Sequence, residues 1–348
     1  MSDITRGNPL APDLEHILEH TGDLWENIRE ARIFITGGTG FIGCWLLESF
    51  IHANEKLGLN VNAVVLTRNY EVFHKKSPHL ATHPNVKFHI GDVRDFKFPK
   101  GEFSHIIHAA TEASTKLNEE NPLLMFDTII QGTKRTLDFA VTCGAKKFLL
   151  TSSGAVYGKQ PPNISHISED YKGAPDPTDI AFSYGMGKRT AEHLCILYSK
   201  KHDIETKIAR CFAFVGPYLP LNIHYAIGNF IRDGLKGGPI QVKGDGKPYR
   251  SYLYAGDLVI WLWTILFKGE TCRPYNVGSE NDLTIGDLAN TVANNFNPRP
   301  EVKISKTITK RITVERYVPA VERAIAELGL REWVGLNDSI KKTVTWYS

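Results

Sequence analysis

A chain of 348 residues with 41 Lys+Arg against 38 Asp+Glu is long enough to enclose a large core and carries no strong field of either sign. That near balance argues against non-specific nucleic-acid binding, which needs a basic surface. The five cysteines, Cys44, Cys143, Cys195, Cys211 and Cys272, are scattered without C-x-x-C spacing, so they read as reduced buried thiols rather than a disulfide framework or a zinc site.

The first residues, MSDITRGNPLAPDLEH, lack a basic segment followed by an apolar one, and no run reaches the ~18 apolar residues of a membrane span. A soluble cytoplasmic protein with no membrane partner is the expectation. Residues 12–30 set Leu14, Ile17, Leu18, Leu24, Trp25 and Ile28 at helical spacing among Glu15, Glu19, Asp23 and Glu26, which predicts one amphipathic helix ahead of the first strand. From Arg32 the pattern changes to RIFIT, a glycine loop, the helical run WLLESFIHAN and then VNAVVLTR: strand, turn, helix, strand. Further strands are predicted at 86–90, 105–110, 147–152 and 206–212, separated by helices around 122–143 and 183–202. Such alternation with nearly continuous apolar strands predicts an α/β fold with a doubly wound, Rossmann-like parallel sheet. After about Gly216 the alternation fades into Pro- and Gly-rich turns, a short strand at 239–242 and helices starting near Asp257, near Thr284 and over AVERAIAELGL. The expected organisation is an N-terminal helical extension (1–31), a dinucleotide-binding domain (32–216) and a segment (217–348) that is mainly a smaller C-terminal substrate-binding lobe.

Gly37, Gly40 and Gly43 follow the first strand and open a helix. Glycine there permits the tight turn and lets the backbone approach a pyrophosphate, while the helix N-terminus supplies amide donors, so a dinucleotide is the expected ligand. The second strand ends in Thr67 and Arg68, where an NAD enzyme usually carries an acid for the ribose hydroxyls. A hydroxyl beside a guanidinium suits a 2′-phosphate and favours NADP over NAD. Asp92 and Val93 follow the third strand; Asp92 either accepts from an adenine amino group with Val93 over the ring, or caps the next turn.

Tyr184 and Lys188, four residues apart at the start of a helix, share one face. A phenol with an ordinary pKa near ~10 is a weak base, and an adjacent ammonium is expected to favour the phenolate for exchange of an alcohol proton.

Together these elements resemble the extended short-chain dehydrogenase/reductase superfamily, in its nucleotide-sugar epimerase, dehydratase and reductase branch. The resemblance runs from about Arg32 to Leu330 through TGGTGFIG, GDVRD, HAAT, SSGAVYG, SYGMGK, RCFAFVGP, GDGKPYRSYLYAGDL and YNVGS. It implies a catalytic triad of Ser153, Tyr184 and Lys188, with Ser153 hydrogen-bonding the sugar oxygen whose proton Tyr184 exchanges. It implies a cofactor site of Gly37, Gly40, Phe41, Ile42, Gly43, Thr67, Arg68, Asp92, Val93, Ala109, Ala110 and Thr111, joined by Tyr184 and Lys188, and it tips Asp92 toward adenine. It further implies a nucleoside diphosphate sugar as partner, with Val242 near the base and Arg250 on the diphosphate, and a homodimer. Ile129 stands where the family usually has an asparagine, Ala213 replaces another that often contacts the sugar nucleotide, and Ala255-Gly256 alters Y-V-D-D-L.

The loop after the fifth strand separates the branch's reactions. A 4,6-dehydratase typically carries Asp-Glu after the hydroxyl residue and a xylose-forming decarboxylase typically a Glu, whereas this chain has Gly154-Ala155. Neither side chain transfers a proton, which disfavours both. The resemblance therefore favours an epimerase acting by transient oxidation of a sugar hydroxyl, at C4, over an NADPH-dependent 4-keto-sugar reductase. A non-catalytic dinucleotide sensor is the alternative of another class, and an intact Tyr184–Lys188 pair speaks against it. His105 and His108 read as packing or cofactor-loop residues rather than metal ligands, no metal is expected, and His224 reads as a loop histidine.

Overall fold

The computed structural model describes residues 8–111, 115–223, 225–305 and 314–348. In chain order the first half contains α1 (Ala11–Thr21), a 3-10 turn over Gly22–Ile28, β1 (Arg32–Thr36), α2 (Phe41–Leu57), β2 (Asn62–Thr67), α3 (Tyr70–Lys76), α4 (Pro78–Ala81), β3 (Val86–Ile90), β4 (His105–His108), α5 (Thr115–Glu120), α6 (Pro122–Thr142), β5 (Lys147–Ser153), α7 (Ser183–His202) and β6 (Glu205–Cys211). The remainder contains β7 (Phe214–Val215), α8 (Ala226–Leu235), β8 (Ile240–Val242), β9 (Tyr249–Arg250), β10 (Leu253–Tyr254), α9 (Ala255–Lys268), β11 (Pro274–Val277), β12 (Leu283–Thr284), α10 (Ile285–Ala293), β13 (Val302–Ile304), β14 (Arg316–Tyr317), α11 (Glu322–Leu328) and α12 (Leu336–Tyr347).

Seven strands form the central sheet in the order β11-β6-β5-β4-β1-β2-β3, all parallel. Apolar runs such as Ile33–Ile35 and Phe148–Leu150 are buried on both faces, as a parallel sheet covered on two sides requires. One face packs under α1, α2 and α9 through Trp25, Trp45, Phe50, Trp261 and Trp263. The other packs under α6 and α7 through Phe34, Phe139, Leu137, Ala191 and Cys195. Because the strands are parallel, their C-terminal ends line one edge, and it is there that an open α/β sheet places its ligands.

Two expectations change in the structure. The predicted helix over 12–30 is α-helical only to Thr21, whose hydroxyl donates to the Ile17 carbonyl and accepts from Trp25 Nε1 at 3.0 Å. The tighter turn that follows swings Trp25 into the core, fully buried. The chain after 216 also does not stay in a lobe: β11 pairs with β6, and α9 packs against α1 and α2. Apart from Lys268 every residue of α9 is buried, and a helix apolar all round has to be enclosed by the main body. The remaining C-terminal segments, around α8, β8 and α10, form their own small core.

Candidate active site

β5 carries Ser153 to the C-terminal edge of the sheet, 5% exposed. α7 begins at Ser183, so Tyr184 and Lys188 lie one turn apart, and the Lys188 ammonium donates to the Thr151 carbonyl on β5 at 2.8 Å. It also donates to Thr111 Oγ1 at 2.8 Å. The three expected catalytic side chains are therefore brought to one edge: the Ser153 hydroxyl is near enough to the Tyr184 phenol to lower its pKa, and Lys188 Nζ lies 5.9 Å from the centre of the Tyr184 ring.

The electrostatics differ from the sequence expectation. Burial pushes the Tyr184 phenol above its ordinary pKa, and the nearby Ser153 hydroxyl pulls it back only in part. The Lys188 ammonium is engaged by Thr111 and Thr151, and burial pushes it down to about 8. In this state the phenol is an acid with its proton in place.

Beneath the triad lies a buried network that sequence reasoning missed. Ser152 Oγ donates to Glu192 Oε1 at 2.6 Å, and Arg210 binds the Glu192 carboxylate through Nε (3.0 Å) and Nη2 (2.7 Å). The Tyr157 hydroxyl accepts from Arg210 Nη1 and donates to Asn276 Oδ1. α7, β5 and the turn after it, β6 and β11 are thus tied together, with charge-assisted bonds at Glu192 and Arg210. A signal was present: Glu192 follows Lys188 by the same four residues that separate Lys188 from Tyr184.

The expected cofactor residues collect along the same edge. Gly37 has φ +72° and would press any Cβ into the Ala109 backbone, so only glycine fits there. Gly40 caps α2 without a side-chain acceptor, leaving the first amides of that helix, over Phe41, Ile42 and Gly43, open to an anion. This cradle fits a dinucleotide pyrophosphate. Ala110 N donates to Thr36 Oγ1, which fixes the turn leaving β4, and Thr111 holds Lys188. Thr67 is buried and Arg68 exposed at the end of β2. Asp92 engages Arg94 through both oxygens and also caps its amide, which lowers the carboxyl pKa. A carboxylate has about four acceptor sites, so capacity remains for an adenine amino group. Val93 is 9% exposed and packs in the core with Ile129.

Val242 and Arg250 line one cavity of about 790 Å³ between α8, β8 and β9. Arg250 Nη2 donates to Glu315 at 2.7 Å and Nη1 to the Tyr249 carbonyl at 2.8 Å. His105 and His108 are buried, and desolvation lowers them to about 4 and about 3, so both are neutral. His108 bridges Thr36 and Thr133. Among the described residues no group of three or more metal-ligating side chains forms, and no helix is long and apolar enough to cross a membrane. His224 lies outside the described residues.

Residues 33–278 match the model of the NAD dependent epimerase/dehydratase family. The chain belongs to that family. A relative from Arabidopsis thaliana, UDP-glucuronic acid decarboxylase 6, is 34% identical over 274 residues, which is 78% of this chain and 76% of the relative. An epimerase from Methanothermobacter thermautotrophicus shares the fold with TM-score 0.78 at 19% identity, covering 95% of this chain and 96% of that one. The Thermus thermophilus UDP-glucose 4-epimerase, solved with NAD, matches with TM-score 0.73 at 25% identity, covering 91% and 98%. Like this family, the chain is an NAD(P)-dependent enzyme of nucleotide-sugar modification.

The position next to Ser153 is closed by packing. Gly154, next to Ser153, has its side-chain space filled by the ring of Phe212, which would stand 2.6 Å from a Cβ there. Phe212 in turn packs on Tyr317, ring centres 4.7 Å apart.

Proposed function

We propose that this protein is a nucleotide-sugar epimerase that transiently oxidises a sugar hydroxyl at C4, with NADP preferred over NAD. The observation that carries the reading is Phe212 in the side-chain space of Gly154: the position from which an acidic residue would assist elimination or decarboxylation holds an aromatic ring. What remains is proton exchange at one oxygen. Tyr184 takes and returns the proton of the sugar hydroxyl, Ser153 hydrogen-bonds the same oxygen, and Lys188 supplies positive charge beside them. A bound nicotinamide dinucleotide supplies the acceptor and donor of hydride. Overall one C–H and one O–H bond break and both re-form, the hydrogen returning to the opposite face, so substrate and product have equal mass. Arg250 and Val242 line the cavity for the diphosphate and base, and the uridine nucleotides named for the relatives head the list of substrates to try. Arg68 beside Thr67 supports the phosphate-bearing cofactor. A homodimer through α6 and α7 belongs to the same reading, supported by exposed Leu123 (70%) and Leu197 (51%).

A second reading is decarboxylation of a UDP-uronic acid, favoured by the 34% identical relative. The deciding experiment is mass spectrometry of the cofactor carried by the purified protein, then of products from a panel of UDP-, dTDP-, GDP- and CDP-sugars. An isobaric product supports epimerisation. Loss of carbon dioxide establishes the second reading, loss of water a dehydratase, and an NADPH-dependent gain of two hydrogens a reductase. Cofactor binding with no product from any sugar leaves a sensor.

A further inference from the structure

The first amides of a helix lack partners within it, and the side chain just ahead of the helix usually caps them. Phe182 stands at that place before α7 and offers no acceptor. Asn118, on α5, takes over the task across 66 residues of chain: its Oδ1 accepts from the Tyr184 amide at 3.1 Å, and its Nδ2 donates to the Ala181 carbonyl at 3.0 Å. Both directions are forced, because a backbone amide only donates and a carbonyl only accepts.

The first turn of α7 is therefore held twice. A Cβ on Gly185 would stand 2.6 Å from the Ala155 carbonyl oxygen, so the helix lies directly against the turn that follows Ser153. Asn118 grips the backbone on either side of Phe182-Ser183, and the phenol hangs from the gripped residue. The chain leaving β4 thus meets both members of the pair, Lys188 Nζ through Thr111 Oγ1 at 2.8 Å and Tyr184 through Asn118. A side-chain amide supplies donor and acceptor together and places no charge beside the phenol.

From these contacts we infer that Asn118 is a positioning residue for the proton-exchanging tyrosine: by clamping the start of α7 it fixes where the Tyr184 phenol stands relative to Ser153. Helix ends fray when nothing holds them, and here a frayed end would carry the reacting group with it. The inference deepens the epimerase reading and rests on it only for the kinetics; the placement of the phenol rests on the two hydrogen bonds.

The test compares wild type with Asn118→Leu, which fills a like volume and removes both bonds, and with Asn118→Asp, which keeps an acceptor for the Tyr184 amide. Asn118 is only half-buried, so both variants should fold; should the leucine not be tolerated, Asn118→Ala makes the same comparison. With a nucleotide sugar that turns over, Asn118→Leu should lower kcat about tenfold, short of the ~100-fold that a misplacement of about 1 Å costs, while KM and the Kd for UDP stay near wild type. Asn118→Asp should recover most of that loss. A loss expressed in KM and UDP affinity, or an aspartate variant as slow as the leucine one, overturns the role. A second arm needs no substrate. In crystals of the protein carrying its cofactor, the Tyr184 hydroxyl should move by about 0.5 Å or more relative to Ser153 Oγ in Asn118→Leu, the tolerance of a catalytic constellation, with α7 beyond Lys188 in place. A Tyr184 hydroxyl that superposes on wild type overturns the inference even if every sugar fails and the epimerase reading falls with them.

Discussion

At Gly154 a missing side chain is enforced from outside. The Phe212 ring stands 2.6 Å from where a Cβ would be, and Phe212 is itself fixed by Tyr317. Gly154→Ala should therefore overpack the site and lower stability by about 1–3 kcal/mol in urea titration, with partial recovery in Gly154→Ala/Phe212→Leu. If Gly154→Ala proves as stable as wild type, the packing account of that blank position fails. Tyr184→Phe removes the exchangeable proton while leaving the ring. Turnover should drop by about 10²–10⁴-fold with dinucleotide affinity, followed by fluorescence titration, nearly unchanged. The spacing of Tyr184 and Lys188 was readable in the sequence because helix geometry is local. That burial would outweigh Lys188 in setting the phenol was not, since desolvation depends on every element packed around the site.

Between elements, two buried acids do the fastening, and the sequence marked neither for that task. Glu192 ties α7 to β5 through Ser152 and to β6 through Arg210. Glu192→Ala leaves a largely buried guanidinium without its partner and should cost about 3–5 kcal/mol in urea titration. Asp257 at the start of α9 accepts from the amides of Trp333 and Val334, pinning the C-terminal segment to the core. Burial pushes its carboxyl up to about 7 despite those two bonds, with Glu332 and Asp13 adding to the rise. The folded-state value lies above the unfolded one of ~3.9, so the stability it contributes is complete below that value and is lost as pH rises through about 7. His16, 3.9 Å from Asp257, is lowered by burial and titrates with the opposite sign; with both groups neutral, the contact is not an ion pair. Asp257→Asn keeps an acceptor for the two amides and removes the titration. The melting temperature of the variant should therefore gain on wild type as pH is raised from about 4 to about 8. A constant difference across that range would show that Asp257 is not the titrating group.

Over the whole molecule, the N-terminal helix belongs to the main body. Leu14, Ile17, Leu24, Trp25 and Ile28 are each at most 3% exposed and share one core with α2 and α9, where Trp25 packs on Trp263 at 4.6 Å. At about 1.5–3 kcal/mol for each buried side chain, their loss rivals the whole ~5–15 kcal/mol of a domain's stability. Removal of residues 1–31 should give an insoluble or molten protein, seen by loss of the near-ultraviolet circular dichroism signal. A soluble, cooperatively melting truncation would show that the helix is an appendage after all. What the sequence by itself determined was the strand–helix alternation, the glycine loop and the Tyr184–Lys188 face, because each rests on periodicity and spacing within a short stretch of chain. What only the tertiary structure decided was the return of β11 and α9 to the central body, the Glu192–Arg210 fastening, and the meeting of Ser153 with Tyr317 across 164 residues of chain. These depend on side chains made neighbours by packing, and no local pattern encodes which distant residue will fill a given space.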